Sequence, residues 1–311
     1  MKAILEKINQ QMLEGHYRGA SLAIYRQGRW QEHYLGTIDG ERLVCPGLVY
    51  DLASVSKVVG VATIAAFWQH QGKLDIDKPL QYYYPAFQDS QLSLRRLLTH
   101  TSGIDPFIPN RHQLTAAELT DAINQIAVKA HQDFLYTDIN FLLLGFMMEY
   151  LSQQSLSELF AADIFRPWGM TQTSFGPRME AVPTVKGVAD GYVHDPKARV
   201  LKEHAGSAGL FSTVKDLERF LEHYLADDFA ADLWTNVSPS ITKTRALGWD
   251  LDGDWITHTG YTGPFIMANR HAQQAVIFLT NRTYVQDNRT QWIANRKSLM
   301  DVIMTELAMI G

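Results

Sequence analysis

Apolar residues recur at helical spacing over residues 1–15, where Ile4, Leu5, Ile8, Met12 and Leu13 stand with charges between them. This is the pattern of an amphipathic helix packed on a protein body. The stretch SLAIYRQGRWQEHYLG then reads as two strands joined at Gln27-Gly28. Residues 37–50, with Gly40, Pro46 and Gly47, read as a loop. A helix-forming apolar run follows (Val58, Val59, Val61, Ala62, Ile64, Ala65, Phe67, Trp68) and extends to about Gln71, with Gly72 as its C-terminal stop.

Residues 73–204 read as mostly helical with long loops. SLRRLLTHTSG predicts a short helix from Ser93, stopped near Gly103. TAAELTDAINQIAVKA and SLSELFAADIF each open with a capping box, Thr115 with Glu118 and Ser155 with Glu158. INFLLLGFMMEYL reads as a buried helix, and residues 171–204 as loop. After Gly209 the pattern changes. STVKDLERFLEHYL predicts an amphipathic helix, followed by strand-like runs RALGWDL, DWITHTG, PFIMANR and QAVIFLTN, with turns at Asp252-Gly253 and Arg270-His271-Ala272. A terminal helix covers about 289–309. Strands therefore lie at both ends of the chain and helices in the middle. The economical α+β architecture is an antiparallel sheet built from the two termini, flanked by the first and last helices, with a helical region inserted. The expected division is a discontinuous sheet domain, 1–79 with 205–311, and a helical domain, 80–204.

Composition narrows the function classes. The chain has 311 residues, 46% hydrophobic and 20% charged, with a net charge of −5 and a pI of about 6.1. That balance gives nucleic acid and anionic membranes no basic patch. Cys45 is the single cysteine, so no internal disulfide forms. There is no secretory signal pattern and no apolar run of the ~18 residues that span a bilayer. The expectation is a cytoplasmic protein without a membrane span. No His-Glu-x-x-His or Cys-x-x-Cys spacing and no glycine-rich phosphate loop occur, so neither metal nor cofactor is expected.

Candidate chemistry begins at DLASVSKVVG, residues 51–60, which holds Ser54 and Lys57 three apart. On the first turn of a helix the two side chains share a face. A hydroxyl beside an amine makes a nucleophile and a proton acceptor, and a helix N-terminus favours a developing oxyanion. Alone, the pair reads more simply as a capped buried helix with a snorkelling lysine. Further stretches change that weighing: Tyr136-Thr137-Asp138 ahead of the buried helix, His258-Thr259-Gly260 at the end of a predicted strand, and GSAGLFST at 206–213, with LLTHTSG and RPWGMTQTSF in support.

In this ordered set the chain resembles the serine β-lactamase and penicillin-binding-protein superfamily. Its class C-like branch includes class C β-lactamases, D,D-peptidases, D-aminopeptidases and family VIII esterases. The family's ordered motifs Ser-x-x-Lys, Tyr-x-Asn and Lys/His-x-Gly read here SVSK, YTD and HTG. The resemblance runs from about residue 18 to 305 and implies a β-lactamase-like fold. It implies Ser54 as acyl-accepting nucleophile, with proton transfer shared by Lys57 and Tyr136. It also implies an oxyanion hole from the N–H groups of Ser54 and Tyr261, and His258, Thr259 and Gly260 along the wall opposite Ser54.

The chain departs from the family's pattern at two positions. Asp138 stands where the family has Asn, and a carboxylate there raises the pKa of Lys57 and keeps it protonated. Tyr136 is then the expected general base. Asp138 also lacks an amide donor, which suits a substrate N–H or ammonium; its plainer reading is an N-cap for the helix at Ile139. His258 replaces the lysine of β-lactamases, and a neutral imidazole gives up a fixed charge for a substrate carboxylate. The expected function is a serine hydrolase working through a covalent acyl-enzyme on small esters or amides, esterase-like or D-amino-acid-peptidase-like. A D,D-carboxypeptidase or weak β-lactamase is the first alternative, and a catalytically silent binding or scaffold protein the second. Oligomeric state is left open.

Overall fold

In the computed structural model, residues 1–111, 113–129, 133–188 and 191–309 are described. Helix α1 (Lys2–Leu13) precedes a hairpin, β1 (Gly19–Arg26) and β2 (Arg29–Gly36), and the short strand β3 (Tyr50–Asp51). The hairpin turns where sequence placed it: Gln27 and Gly28 both take positive φ, 52° and 76°, the geometry that suits the strands' twist. The Ser54 segment is a single buried rod in three geometries. It opens as a 3₁₀ turn (Ala53–Val55), passes through a π turn (Val58–Ala62) and ends as helix α2 (Thr63–His70).

The middle of the chain supplies α3 (Leu80–Tyr83), α4 (Leu94–Leu98), α5 (Ala116–Asn124), α6 (Ile139–Ser152) and α7 (Leu156–Phe160), then strand β4 (Ser174–Phe175) and helix α8 (Pro196–Leu201). Both expected capping boxes form in full. Helix α5 is shorter than its pattern, ending at Asn124; Ala130, the last residue of that expected helix, lies outside the described residues, as do 112, 189 and 190 of the expected loops. The loop expected over 171–204 contains β4 and α8. Helix α8 starts on a local cap: Asp195 accepts from the N–H groups of Lys197 and Ala198, both at 2.9 Å, and Pro196 takes the first helical position.

Strand β5 (Leu210–Ser212) and helix α9 (Val214–Ala226) lead into β6 (Asp250–Asp252), β7 (Trp255–Thr259), β8 (Phe265–Asn269) and β9 (Gln274–Leu279), and α10 (Arg289–Ala308) closes the chain. The six-stranded sheet runs β2-β1-β9-β8-β7-β6, antiparallel throughout, so β1 from one end of the chain pairs with β9 from the other. Period-2 alternation sorts its side chains. Leu22, Ile24, Phe265, Met267, Val276 and Phe278 face a layer formed by α1 and α10, with Ile8, Trp292 and Ile303. Ala23, Ile266, Ala268 and Ile277 face the larger core, which includes α9 and the Ser54 rod. Both faces of the central strands are covered, which is why they read as continuous apolar runs. A second sheet, β3-β5-β4, braces the chain just before Ser54.

Candidate active site

The turn that presents Ser54 is built on a buried carboxylate. Asp51 accepts from the N–H of Ala53 at 2.7 Å and from that of His194 at 2.9 Å. Ala53, next to Ser54, is held at φ 45°, a conformation that costs a non-glycine residue energy and persists only where its surroundings enforce it. Burial pushes the Asp51 carboxyl up to about 6. Sequence reasoning did not single out Asp51.

Lys57 sits beneath Ser54 with no exposed surface. Its ammonium donates to Ser54 Oγ at 2.9 Å, to Asp138 Oδ1 at 2.7 Å and to the Ser207 carbonyl at 2.8 Å. Three N–H donors thus meet three acceptors. Burial by itself would lower the pKa of this lysine; the charge of Asp138, with Tyr136 beside it, outweighs burial and holds it above the ordinary lysine range. Gly206 lets the Ser207 carbonyl reach Lys57: a Cβ on Gly206 would lie 2.3 Å from the Phe141 carbonyl oxygen.

Asp138 opens α6 but its side chain makes no cap hydrogen bond. It faces the cleft instead, one oxygen on Lys57 and the other, Oδ2, 3.0 Å from Lys197 Nζ. Burial opposes its charge, but the two lysines hold the carboxyl well below the usual carboxylate range. With both oxygens on cations, a substrate ammonium finds no uncompensated carboxylate here. Lys197, from α8, is the cleft residue that sequence reasoning missed; its signal was the Asp195-Pro196 helix start.

Tyr136 stands at the cleft surface, 37% exposed, with the Lys57 ammonium 5.2 Å from its ring centre. His100 backs it, the two rings 4.3 Å apart. The His100 Nδ1 lies 3.0 Å from the Asn140 side-chain amide and takes the Thr137 N–H, so the loop before α6 is fixed on a buried imidazole. Burial, with Arg245 and Lys57 nearby, keeps His100 neutral, its pKa well below the ordinary histidine value.

The opposite wall is β7. His258 is buried, and burial together with the cations Lys57 and Arg245 pushes its imidazole down to about 3. It carries no charge at neutral pH. Thr259 is half-buried at the strand end. Gly260 must be glycine, because a Cβ there would lie 2.6 Å from the Leu52 carbonyl oxygen, in the segment that leads to Ser54. The turn beyond it is tied down by Gly260 N–H to Pro264 O at 2.7 Å, Thr262 Oγ1 to the Asp51 carbonyl at 3.1 Å and Arg282 Nε to the Tyr261 carbonyl at 2.9 Å. The Tyr261 N–H finds no acceptor among the described residues. The site thus brings together Ser54, Lys57, Tyr136 and Asp138 on one side and the β7 strand end on the other. No group of residues suited to a metal ion occurs among the described residues.

This geometry has relatives. A family model described as Beta-lactamase matches residues 4–299, and the chain belongs to that family of serine hydrolases. A putative D-alanyl-D-alanine carboxypeptidase of Escherichia coli (strain K12) is 25% identical, over 76% of this chain and 70% of the relative. Among solved structures, a β-lactamase/D-alanine carboxypeptidase from Pseudomonas syringae superposes with a TM-score of 0.77 at 19% identity, covering 94% of this chain and 97% of the other. EstCE1, a hydrolase with promiscuous acyltransferase activity, gives the same TM-score, 0.77, at 19% identity over 97% of each chain. The fold is β-lactamase-like, as the motifs implied. No helix among the described residues is long and apolar enough to cross a membrane.

Proposed function

We propose that this chain hydrolyses small esters or amides through an acyl-enzyme on Ser54. The observation that carries this reading is the Lys57 ammonium, with one N–H on Ser54 Oγ and the other two on Asp138 and Ser207. A lysine whose three protons are all engaged has no lone pair for the serine proton. It orients Ser54 and stabilises charge, while the phenolic oxygen of Tyr136, beside it, serves as the general base that takes the proton. Ser54 Oγ bonds to the acyl carbon, and the carbonyl oxygen meets the N–H groups of Ser54 and Tyr261. Tyr136 passes the proton to the leaving group, then takes one from the water that cleaves the acyl-serine, and Ser54 recovers it.

A neutral His258 offers no fixed charge to a β-lactam carboxylate, which favours esters and amides over cephalosporins. A D-peptide reading has one observation of its own. Arg296 of α10 is half-buried, with no carboxylate at ion-pair distance among the described residues; Asp250 supports its charge from farther off, and it lies within electrostatic reach of Tyr136 and His258. Burial pushes it down to about 10, still charged at pH 7, and a terminal carboxylate would complement it.

The test is intact-protein mass after exposure to a fluorophosphonate, with Ser54→Ala as control. One adduct per chain, absent from the variant, is the expected result. No adduct on the folded wild-type chain would overturn acyl transfer in favour of the silent binding protein. Short-chain esters, D-aminoacyl amides and a chromogenic cephalosporin then rank the substrate classes.

A further inference from the structure

The carboxylate at position 138 is held between two lysines from distant segments. Lys57 takes Oδ1 at 2.7 Å and Lys197 takes Oδ2 at 3.0 Å, with side-chain exposures of 0%, 24% and 13% for Lys57, Asp138 and Lys197. Beyond Lys197 lies Asp195, 3.5 Å from its Nζ, and Asp195 also caps α8. The result is an alternating row, Lys57–Asp138–Lys197–Asp195, with no net charge. Other ionisable groups surround the row, Tyr136 among them, beside Lys57. His100 and His258 are neutral, Arg245 and Lys243 share Asp250 at 2.5 and 3.1 Å, and Arg296 of α10 acts on Tyr136 and His258 from outside the row.

We propose that Lys197 is a positioning residue for acyl transfer, closing a charge-balanced row that holds Asp138 against Lys57 and so fixes Lys57 against Ser54. The proposal rests on the reading of Ser54 and Lys57 given above. An amide at position 138 would need no second cation. A carboxylate with Lys57 alone would leave Oδ2 without a partner in a largely buried site, and such an atom carries a desolvation penalty that drives it to rotate or protonate. Either movement loosens Lys57. Conversely, neutralising Asp138 leaves two ammonium groups facing each other across a low-dielectric cleft. The two residues are therefore a matched exchange: each single change breaks the row, whereas removing both charges restores a neutral, hydrogen-bonded position 138.

The experiment is a double-mutant cycle on the full chain: wild type, Lys197→Met, Asp138→Asn and Asp138→Asn/Lys197→Met, with Lys197→Arg as the conservative variant. The fluorophosphonate labelling rate of Ser54 and the urea midpoint are measured for each. Each single variant is expected to label about 10–100-fold more slowly, the cost of misplacing an otherwise intact group. The double variant should return to within about 5-fold of wild type, and Lys197→Arg should keep most of the rate. Multiplying losses, with the double variant slower than either single one, would overturn the proposal, because packing of α8 alone predicts that result. A wild-type chain that takes no adduct would sink the acyl-transfer reading, and the urea midpoints would then decide the charge row by themselves. A double-variant midpoint above the sum of the single effects supports it, and additive midpoints refute it.

Discussion

At the scale of single residues, the site is organised by where protons are held. On the acyl-transfer reading proposed above, Asp138 holds Lys57 charged, and accepting the Ser54 proton is left to Tyr136. Tyr136→Phe should therefore lower the acylation rate by about 10²–10⁴-fold, while fluorescence and denaturation profiles stay close to wild type. Full acylation in the phenylalanine variant would return the base role to Lys57. Two buried groups also write opposite signatures into stability. His258 titrates near 3 in the fold against an ordinary 6.5, so its contribution is full above about 6.5 and is lost as pH falls towards 3. Asp51 titrates near 6 against an ordinary 3.8, so its contribution is present below about 4 and is lost as pH rises to 6. Each slope is about 1.4 kcal/mol per pH unit, and between pH 4 and 6 they oppose each other. Asp51→Asn removes one of them. Relative to wild type, that variant should gain about 3 kcal/mol between pH 4 and pH 6 in urea titrations at stepped pH. A difference independent of pH would mean that Asp51 is ionised in the fold.

At the scale of elements, the decisive contact is the end of β7 against the turn that carries Ser54. The HTG motif can close on that turn because Gly260 has no side chain. Gly260→Ala puts a methyl into the Leu52 carbonyl and must push the strand end and the Tyr261 N–H away from Ser54. A displacement of that kind costs about 10²-fold in reactivity, so labelling of Ser54 should fall by that factor while far-ultraviolet dichroism is retained. Elements of this sort were legible in the sequence where local rules act alone. The hairpin at Gln27-Gly28, the two capping boxes and the apolar run of α6 each carry their signal within a few residues. Helix α8 did not: it has six residues and no full turn of apolar periodicity, and only the Asp195-Pro196 start marks it. Lys197 was hidden for the same reason. Its partner Asp138 is distant in the chain, and a pairing across folded segments leaves no spacing to read. Asp51 was equally hidden, because what it accepts are backbone N–H groups, which every residue has. The ordered motifs identified Ser54, Lys57 and Tyr136 as residues; the three acceptors around Lys57 and the imidazole behind Tyr136 appear only in three dimensions.

At the scale of the whole molecule, the sheet separates two jobs. One face packs on the core that carries the Ser54 rod, and the other is sealed by α1 and α10, the first and last helices. Stability and chemistry are therefore separable across the sheet, even though α10 serves both: Arg296 lies towards the cleft and Ile303, fully buried, lies under the strands. Truncating Ile303 to alanine removes packing from the sealing layer alone. Such a change costs about 2–5 kcal/mol, enough to lower the melting temperature by roughly 5–10 °C in a chain of this size. The rate of Ser54 labelling at 20 °C should stay within about twofold of wild type, because nothing in the row from Ser54 to Asp195 touches that layer. Measuring both quantities on one preparation makes the comparison strict. A labelling rate that fell with the melting temperature would show that the sheet transmits the packing of its sealed face to the cleft, and the two faces would have to be treated as one cooperative unit.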